Sequence, residues 1–386
     1  MHKVPDKAGL VDRVRTLLPL VAENADEAER QRKPVDEVMA AICDAGVFHA
    51  HVPARYGGYE IDPDTFIDIG LMISKACTST GWVTSFCMEH NWMLAQFPPE
   101  AQEAIFGNQP YIIAPGSISP TGKADRVEGG FRLNGRWAWG TGVMHADWAL
   151  LNGPVDGKEP RLFIVPMSEV QVEDTWYAAG MEGTGSNDMV ATDIFVAESH
   201  SQTLASMSLG RGSGALWHDA PCFKHPMLPL LTIAAATPSV AAAYRAIELF
   251  IERLNKRTLY GTRSPQAERQ TAQVLLGNAM VQTKIAEQNL RHIARRLNHW
   301  SHTEEICPPD ERAELRLLGA QTVQSCRDVV QNIMSRSGAS AHLRSQPMQR
   351  LLRDINTMSA HTVFDTDLGG ENYGRILLGM EPVSPV

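Results

Sequence analysis

Apolar and polar positions alternate in three different ways along the chain. From residue 10 to about residue 106 the apolar spacing is helical, as in Val11, Val14, Leu17, Leu18 and Val21, and again in Val38, Met39 and Ile42. PARYGGYEIDP interrupts it as a loop. From residue 111 to about residue 196 short runs rich in β-branched and aromatic residues take over: YIIA, FRLNGRWAW, WALLNG, RLFIVP, VQVEDTW and MVATDIFV. These predict strands, with Gly, Asn, Asp and Pro at their turns. Glu128-Gly129-Gly130 and Asn134-Gly135 predict turns of the kind that need positive φ. A Gly/Ser/His-containing stretch without periodicity follows, and then long helical patterns return at 228–259, 265–298, 310–337 and 346–362, lengths that suit an antiparallel bundle. The chain therefore reads as α+β, mainly α. It has an N-terminal helical domain (1–110), a central antiparallel β domain (111–200), a connector (201–226) and a C-terminal helical bundle (227–386).

Composition narrows what such a chain does. With 386 residues, 44% of them hydrophobic, it exceeds what one core usually supports, so two or three lobes are expected. The N-terminus MHKVPDKAGL lacks the basic and apolar regions of a secretion signal, and no run of eighteen apolar residues occurs. A cytoplasmic protein is expected. Cys43, Cys77, Cys87, Cys222, Cys307 and Cys326 lie far apart without a CxxC pair, which suits buried thiols and provides no metal site. A formal charge of −9 without a Lys/Arg cluster argues against nucleic acid or an anionic membrane as partner. No GxGxxG follows a strand and no GxxxxGK[ST] is present; GRGSG at 210–214 has no strand before it. NAD(P)H is thus not bound by the usual route.

The most informative segment is 114–142, APGSISPTGKADRVEGGFRLNGRWAWGTG. It joins a Ser/Thr/Gly-rich loop, a hairpin and a strand end that runs from aromatic to hydroxyl. Short hydroxyls and free N–H groups suit the polar rim of an isoalloxazine, and Trp137 or Trp139 suits its apolar face. An ordinary surface loop and hairpin is the plain alternative.

Three blocks resemble the acyl-CoA dehydrogenase fold, and more closely its oxygen-using branch, the flavin-dependent monooxygenases that receive reduced flavin from a separate reductase. They are SISPTGKAD (117–125) with WAWGTG (137–142), RTLYG (257–261) with Gln270 downstream, and RLLRDINTMSAH (350–361) with its Arg-Asp pair. The resemblance implies that Ser119, Thr121, Gly122, Trp139, Thr141 and Gly142 contact the flavin. It also implies that Arg257, with Tyr260 in place of the family's Phe and Gln270 nearby, reaches the flavin phosphate of a neighbouring subunit. That sharing requires assembly, and the resemblance implies a homotetramer, with a dimer as the alternative.

One departure from the dehydrogenases is chemical. They place a Glu about eight residues after the Arg-Asp pair to remove a thioester α-proton, but 355–363 contains no acid, and neither does 227–244, the family's other location for the base. His361 stands near the vacant place. Histidine titrates near neutrality, so the resemblance implies proton management at His361 during oxygen transfer from a flavin C4a-hydroperoxide. His90 is expected to face and orient the substrate, with Asn91 and the connector's His218 beside it. Thr141 is expected to protect the hydroperoxide by hydrogen bonding, and Asp354 to pair with a neighbouring Arg.

Together these imply the oxygenase component of a two-component flavin monooxygenase, using reduced FMN or FAD and O₂ to hydroxylate a phenol- or indole-like aromatic. The NAD(P)H-flavin reductase would be a separate protein supplying flavin by diffusion. The alternatives are N- or S-oxygenation of a small molecule, an acyl-CoA dehydrogenase or oxidase with bound FAD, and flavin binding without catalysis.

Overall fold

The computed structural model describes residues 6–258, Gly261 and residues 264–386. Six helices come first: α1 (Leu10–Glu23), α2 (Ala25–Gln31), α3 (Asp36–Asp44), α4 (Pro63–Ala76), α5 (Thr78–Ala95) and α6 (Pro99–Phe106). Asp62 starts α4 as its cap, accepting from Thr65 N–H at 2.9 Å, with Pro63 preset for the first turn. Every residue of α5 is buried, so it has no polar face and runs through the middle of the helical core. Gly81 makes this possible: a Cβ there would lie 2.1 Å from the Ser74 hydroxyl of α4.

An eight-stranded sheet follows: β1 (Gly116–Ser117), β2 (Gly122–Val127), β3 (Gly130–Trp137), β4 (Trp148–Val155), β5 (Glu159–Pro166), β6 (Gln171–Glu173), β7 (Asp188–Ala197) and β8 (Ser201–Thr203). Its order is β6-β7-β3-β2-β4-β5-β8, with β1 paired to β4. Period-2 alternation splits its faces. Leu150, Leu162 and Ile164 enter the core shared with the helices, while Leu151, Phe163 and Val165 enter a second core with Phe131, Leu133 and Trp137.

The sheet is mixed, because β1 and β2 both run parallel to β4, where the strand pattern predicts an antiparallel block throughout. Gly129, at φ +78, makes the expected hairpin turn between β2 and β3. Asn134-Gly135 makes none. It lies inside β3 at a register shift against β7, and Asn134 Oδ1 accepts from Asp193 N–H at 2.7 Å across that irregularity. The connector is partly structured, holding β8 and the short α7 (Leu204–Ser208).

Five more helices complete the chain: α8 (Met227–Lys256), α9 (Gln270–Ser301), α10 (Pro309–Ser337), α11 (Pro347–Met358) and α12 (Thr366–Leu377). Among the described residues α8 is the one helix long and apolar enough to cross a membrane, and 94% of its apolar window is buried inside the protein. It is a core helix, packed against α4, α5, α9 and α10. Gly319 of α10 lets α8 approach closely, since a Cβ there would meet the Thr232 methyl at 2.0 Å. The helical patterns do not anticipate α12, whose three glycines weaken its periodicity; Asp365 starts it by capping Asp367 and Leu368 N–H groups.

Candidate active site

The end of β3, the 176–186 segment, α5 and the end of α11 converge on a cavity of about 320 Å³. Three indoles wall it: Trp82 from α5, Trp139 from beyond β3 and Trp176 from the loop after β6. Thr141, Thr184 and Ser186 form a chain of hydroxyls along one side, with Thr141 Oγ1 3.0 Å from Ser186 Oγ and Ser186 Oγ 2.8 Å from Thr184 Oγ1. Trp82 Nε1–H donates to Thr141 Oγ1 at 3.4 Å, tying wall to chain.

Local backbone geometry aims these groups. Trp139 has φ +64, unusual for a bulky residue, and is 61% exposed at the cavity rim. Trp137, two positions earlier, is fully buried in the sheet core, its Nε1–H donating to Asn152 O at 2.7 Å. Of the two tryptophans, then, Trp139 reaches the cavity and Trp137 packs. Opposite, Met181 also takes a left-handed backbone, φ +58, held by Asp354 Oδ1 accepting its N–H at 2.6 Å. Asp354 therefore clamps main chain, while the neighbouring Arg350 and Arg353 ion-pair with Asp26 and Glu29.

His361 borders the cavity just after α11. Its Nδ1 accepts from Val363 N–H at 3.3 Å, so the neutral ring carries its proton on Nε2. Burial against Trp82, Phe86 and Phe364 lowers its pKa to about 4. The expectation of a histidine titrating near neutrality gives way to a neutral N–H donor. None of the cavity's lining residues is an acid, so no carboxylate is placed to act as the base of a dehydrogenase.

His90 lies one aromatic layer further in, its ring 5.8 Å from that of Phe86, which in turn is 6.3 Å from the His361 ring. Its Nδ1–H donates to Ala114 O at 2.6 Å, which leaves Nε2 as a bare acceptor, and burial lowers its pKa to about 4.

Other expected residues fall elsewhere. The Asn91 amide is committed to main chain, donating to Cys87 O and Ile112 O and accepting from Ile112 N–H, so it braces the segment that leads to Ala114. His218 lies away from the cavity, its Nε2 2.8 Å from Gln102 Oε1 and its ring against Phe223. Ser119 and Thr121 are exposed on the loop before β2, and Gly122 packs on Trp137, where a Cβ would fall 2.2 Å from the indole. Gly142, at φ +86, packs against Cys87. None of these four lines the cavity.

Arg257 borders a different recess, of about 440 Å³, with Arg253 and Lys256 on one side and Ser340, Pro347 and Met348 on the other. Its guanidinium donates to Ser337 O at 2.9 Å. Gln270 is exposed at the start of α9, and Tyr260 lies outside the described residues.

Trp82, Trp176, Thr184, Ser186 and Thr357 escape the sequence reading. A signal for one of them exists: the Gly-Thr-Gly around Thr141 at 140–142 occurs again at 183–185, and Thr184 ends on the same hydroxyl chain as Thr141.

An aromatic-walled, hydroxyl-edged cavity of this size matches a flavin ring in shape and in donor set. A helical domain, a β domain and a helical bundle around it define a flavoprotein of the acyl-CoA dehydrogenase fold. Residues 6–106 match the family model "Acyl-CoA dehydrogenase, N-terminal domain" and residues 233–366 match "Acyl-CoA dehydrogenase, C-terminal domain". The chain is 36% identical to the pigment production hydroxylase of Rhodococcus sp. (strain ATCC 21145), over 97% of each chain. It is 32% identical to the flavin-dependent monooxygenase, oxygenase subunit HsaA, of Rhodococcus jostii, over 96% of this chain and 98% of that one. It is 29% identical to the p-hydroxyphenylacetate 3-hydroxylase, oxygenase component, of Acinetobacter baumannii, over 98% and 92%. Among solved structures, XiaF from Streptomyces sp. in complex with FADH2 and glycerol superposes with a TM-score of 0.91 at 28% identity, covering 98% and 97%. The chain belongs to the flavin-dependent monooxygenases of this fold and is the oxygenase component of a two-component, reduced-flavin-dependent enzyme.

Proposed function

We propose that this enzyme hydroxylates a small phenol- or indole-like aromatic with O₂ and reduced FMN or FAD, the flavin arriving by diffusion from a separate NAD(P)H-flavin reductase in the cytoplasm. The observation that carries the reading is His361: a neutral imidazole with Nε2–H on an acid-free cavity. Such a site lacks the base for thioester chemistry and offers a neutral N–H as a hydrogen-bond donor during oxygen transfer.

Reduced flavin supplies the electrons that activate O₂. The chain's own residues do the rest. Trp139 covers one face of the ring, while Thr141, Thr184 and Ser186 hold its polar rim. Trp82, Trp176 and Phe86 exclude water. His361 presents a proton at Nε2, and His90 offers the bare Nε2 lone pair to a substrate hydroxyl or N–H. Gly122 and Gly142 permit close packing on Trp137 and Cys87 behind the β3 end that carries Trp139 and Thr141.

Arg257 serves the flavin phosphate of a neighbouring copy, together with Tyr260 and Gln270. Pro347 and Met348 of its recess and Thr357 and Met358 of the ring cavity occupy opposite ends of α11, about 15 Å apart at 1.5 Å per residue. Val274, Val281 and Ile285 form an exposed apolar stripe on one face of α9, which supports assembly into a homotetramer.

The test supplies photoreduced FMN or FAD, O₂ and a panel of phenols and indoles to the purified enzyme. A hydroxylated product is expected with at least one compound; hydrogen peroxide alone from every compound refutes aromatic hydroxylation.

A further inference from the structure

Two of the three indoles that wall the ring cavity stand outside regular structure, Trp139 just past β3 and Trp176 in the loop after β6. One buried residue, Asn187, immediately before β7, bonds to both segments. Its Oδ1 accepts from Thr175 N–H at 3.0 Å and from Trp176 N–H at 2.9 Å. Two N–H donors fix the orientation of the amide, since only its oxygen accepts, and Nδ2 then donates to Met144 Sδ at 3.2 Å. The main-chain oxygen of Asn187 accepts from Gly140 N–H, between Trp139 and Thr141, at 2.9 Å. Its own N–H donates to Gly185 O at 2.7 Å, between Thr184 and Ser186. Gly140 permits the approach, since a Cβ there would fall 2.9 Å from Asn187 O.

Asn187 thus ties the Trp139–Thr141 turn, the Trp176 loop and the Thr184–Ser186 hydroxyls to one another. We infer that Asn187 is a positioning residue, whose side chain sets Trp176 against Trp139 and so fixes the width of the slot for the flavin ring. The role rests on the reading of this cavity as the flavin's. Any substitution at 187 keeps the main-chain bond to Gly140, so Trp139 stays in place. What goes is the pair of acceptor bonds that holds the Trp176 segment. Arg32 still donates to Trp176 O at 3.1 Å and Trp176 Nε1–H to Met181 O at 2.9 Å, so the loop stays folded while its leading side loosens. Thr175 is exposed and Trp176 half-buried, which lets water take the freed N–H groups. The loss therefore falls on the cavity and not on the fold.

Anaerobic titration measures the dissociation constants of reduced FMN and reduced FAD for wild type, Asn187→Leu, Asn187→Asp, Trp176→Leu and the double variant Asn187→Leu/Trp176→Leu, with melting temperatures alongside. Asn187→Leu is expected to bind reduced flavin about tenfold more weakly, at a melting temperature within about 3 °C of wild type. Asp keeps an oxygen for both N–H groups, so Asn187→Asp is expected to recover most of the loss. Because Asn187 acts through Trp176, adding Asn187→Leu to Trp176→Leu is expected to weaken binding by less than about twofold further. Wild-type affinity in Asn187→Leu, losses that multiply in the double variant, or an Asp variant no better than Leu would each overturn the proposal while leaving the ring-cavity reading intact. So would a melting temperature that falls in step with affinity across the series, the mark of a structural role. Trp176→Leu that binds reduced flavin as wild type does overturns the ring-cavity reading itself, and the proposal with it.

Discussion

At its C-terminal end α11 brings Thr357 and Met358, and just beyond them His361, to a cavity walled by three tryptophans; at its N-terminal end Pro347 and Met348 border a recess holding Arg253, Lys256 and Arg257. The first removes water, and the consequence is a histidine held neutral, its pKa near 4. In the second, the guanidinium groups of Arg253 and Arg257 both donate to Ser337 O. One helix thus separates the ring cavity, where desolvation selects neutral donors and acceptors, from the proposed phosphate anchor, a recess lined by Arg253, Lys256 and Arg257. The energetics differ accordingly: uncharged hydrogen bonds are insensitive to salt, whereas a guanidinium–phosphate contact at a wet surface is screened.

The sharpest way to break the contrast is at His361. His361→Leu keeps the volume and removes the Nε2 proton; hydroxylated product per flavin oxidised is expected to fall about 100-fold, with hydrogen peroxide making up the difference. Product and peroxide quantified from the same reaction decide it. Because protonation of His361 begins only as pH approaches 4, wild-type coupling is expected to show no acid limb between pH 7 and about 5. A limb centred near 6.5 would mean that the imidazole is solvated and that the two ends of α11 are electrostatically alike.

Arg257 tests the other end with a smaller effect. Arg257→Leu is expected to weaken reduced-FMN binding about tenfold at low salt and to flatten its salt dependence, since one screened charge pair is gone. Anaerobic titration at two ionic strengths measures both. If His361→Leu altered the salt slope as well, the division between ring end and phosphate end would fail.

How much of this was legible before any coordinates depended on whether the signal was local. The helical lobes and most strands follow from periodicity, and the aromatic-to-hydroxyl run at Trp139-Gly140-Thr141 is contiguous in sequence. Thr184 and Ser186 join Thr141 only because β3 and β7 pair, and Trp82 only because α5 crosses behind them. Asn91 and His218 misled for the opposite reason. Each sits in a suggestive string, but the fold spends Asn91 on Ile112 and His218 on Gln102. Trp137 and Trp139 stand two positions apart in sequence, and only the left-handed turn at Trp139, just past β3, separates core from cavity. The pKa of His361 was beyond reach altogether, because desolvation is a property of Trp82, Phe86 and Phe364 arranged in space.

Asp354 lies on α11 between the two ends and carries the smallest of these effects. Its carboxylate accepts Met181 N–H and so holds the backbone turn that places Met181 on the ring cavity, while Arg350 and Arg353 attract it from the other side. Burial outweighs both and raises its pKa from 3.8 to about 6. The folded state therefore holds this proton more tightly than the unfolded chain. The stabilisation it gives is full below pH 3.8, is lost as pH rises through 6, and becomes constant above, a swing of at most about 3 kcal/mol. Two buried histidines act with opposite sign: His361 at the ring cavity and His90 behind it, both depressed to about 4, bind protons more weakly when folded, so their contribution grows from pH 4 to about 6.5. Asp354→Asn keeps an acceptor for Met181 N–H and removes only the titration. Its melting temperature relative to wild type is expected to rise by a few degrees between pH 4 and pH 7, then stay level. A difference that does not change with pH would show that Asp354 is already solvated, and that the dry region around the ring cavity ends before it reaches the middle of α11.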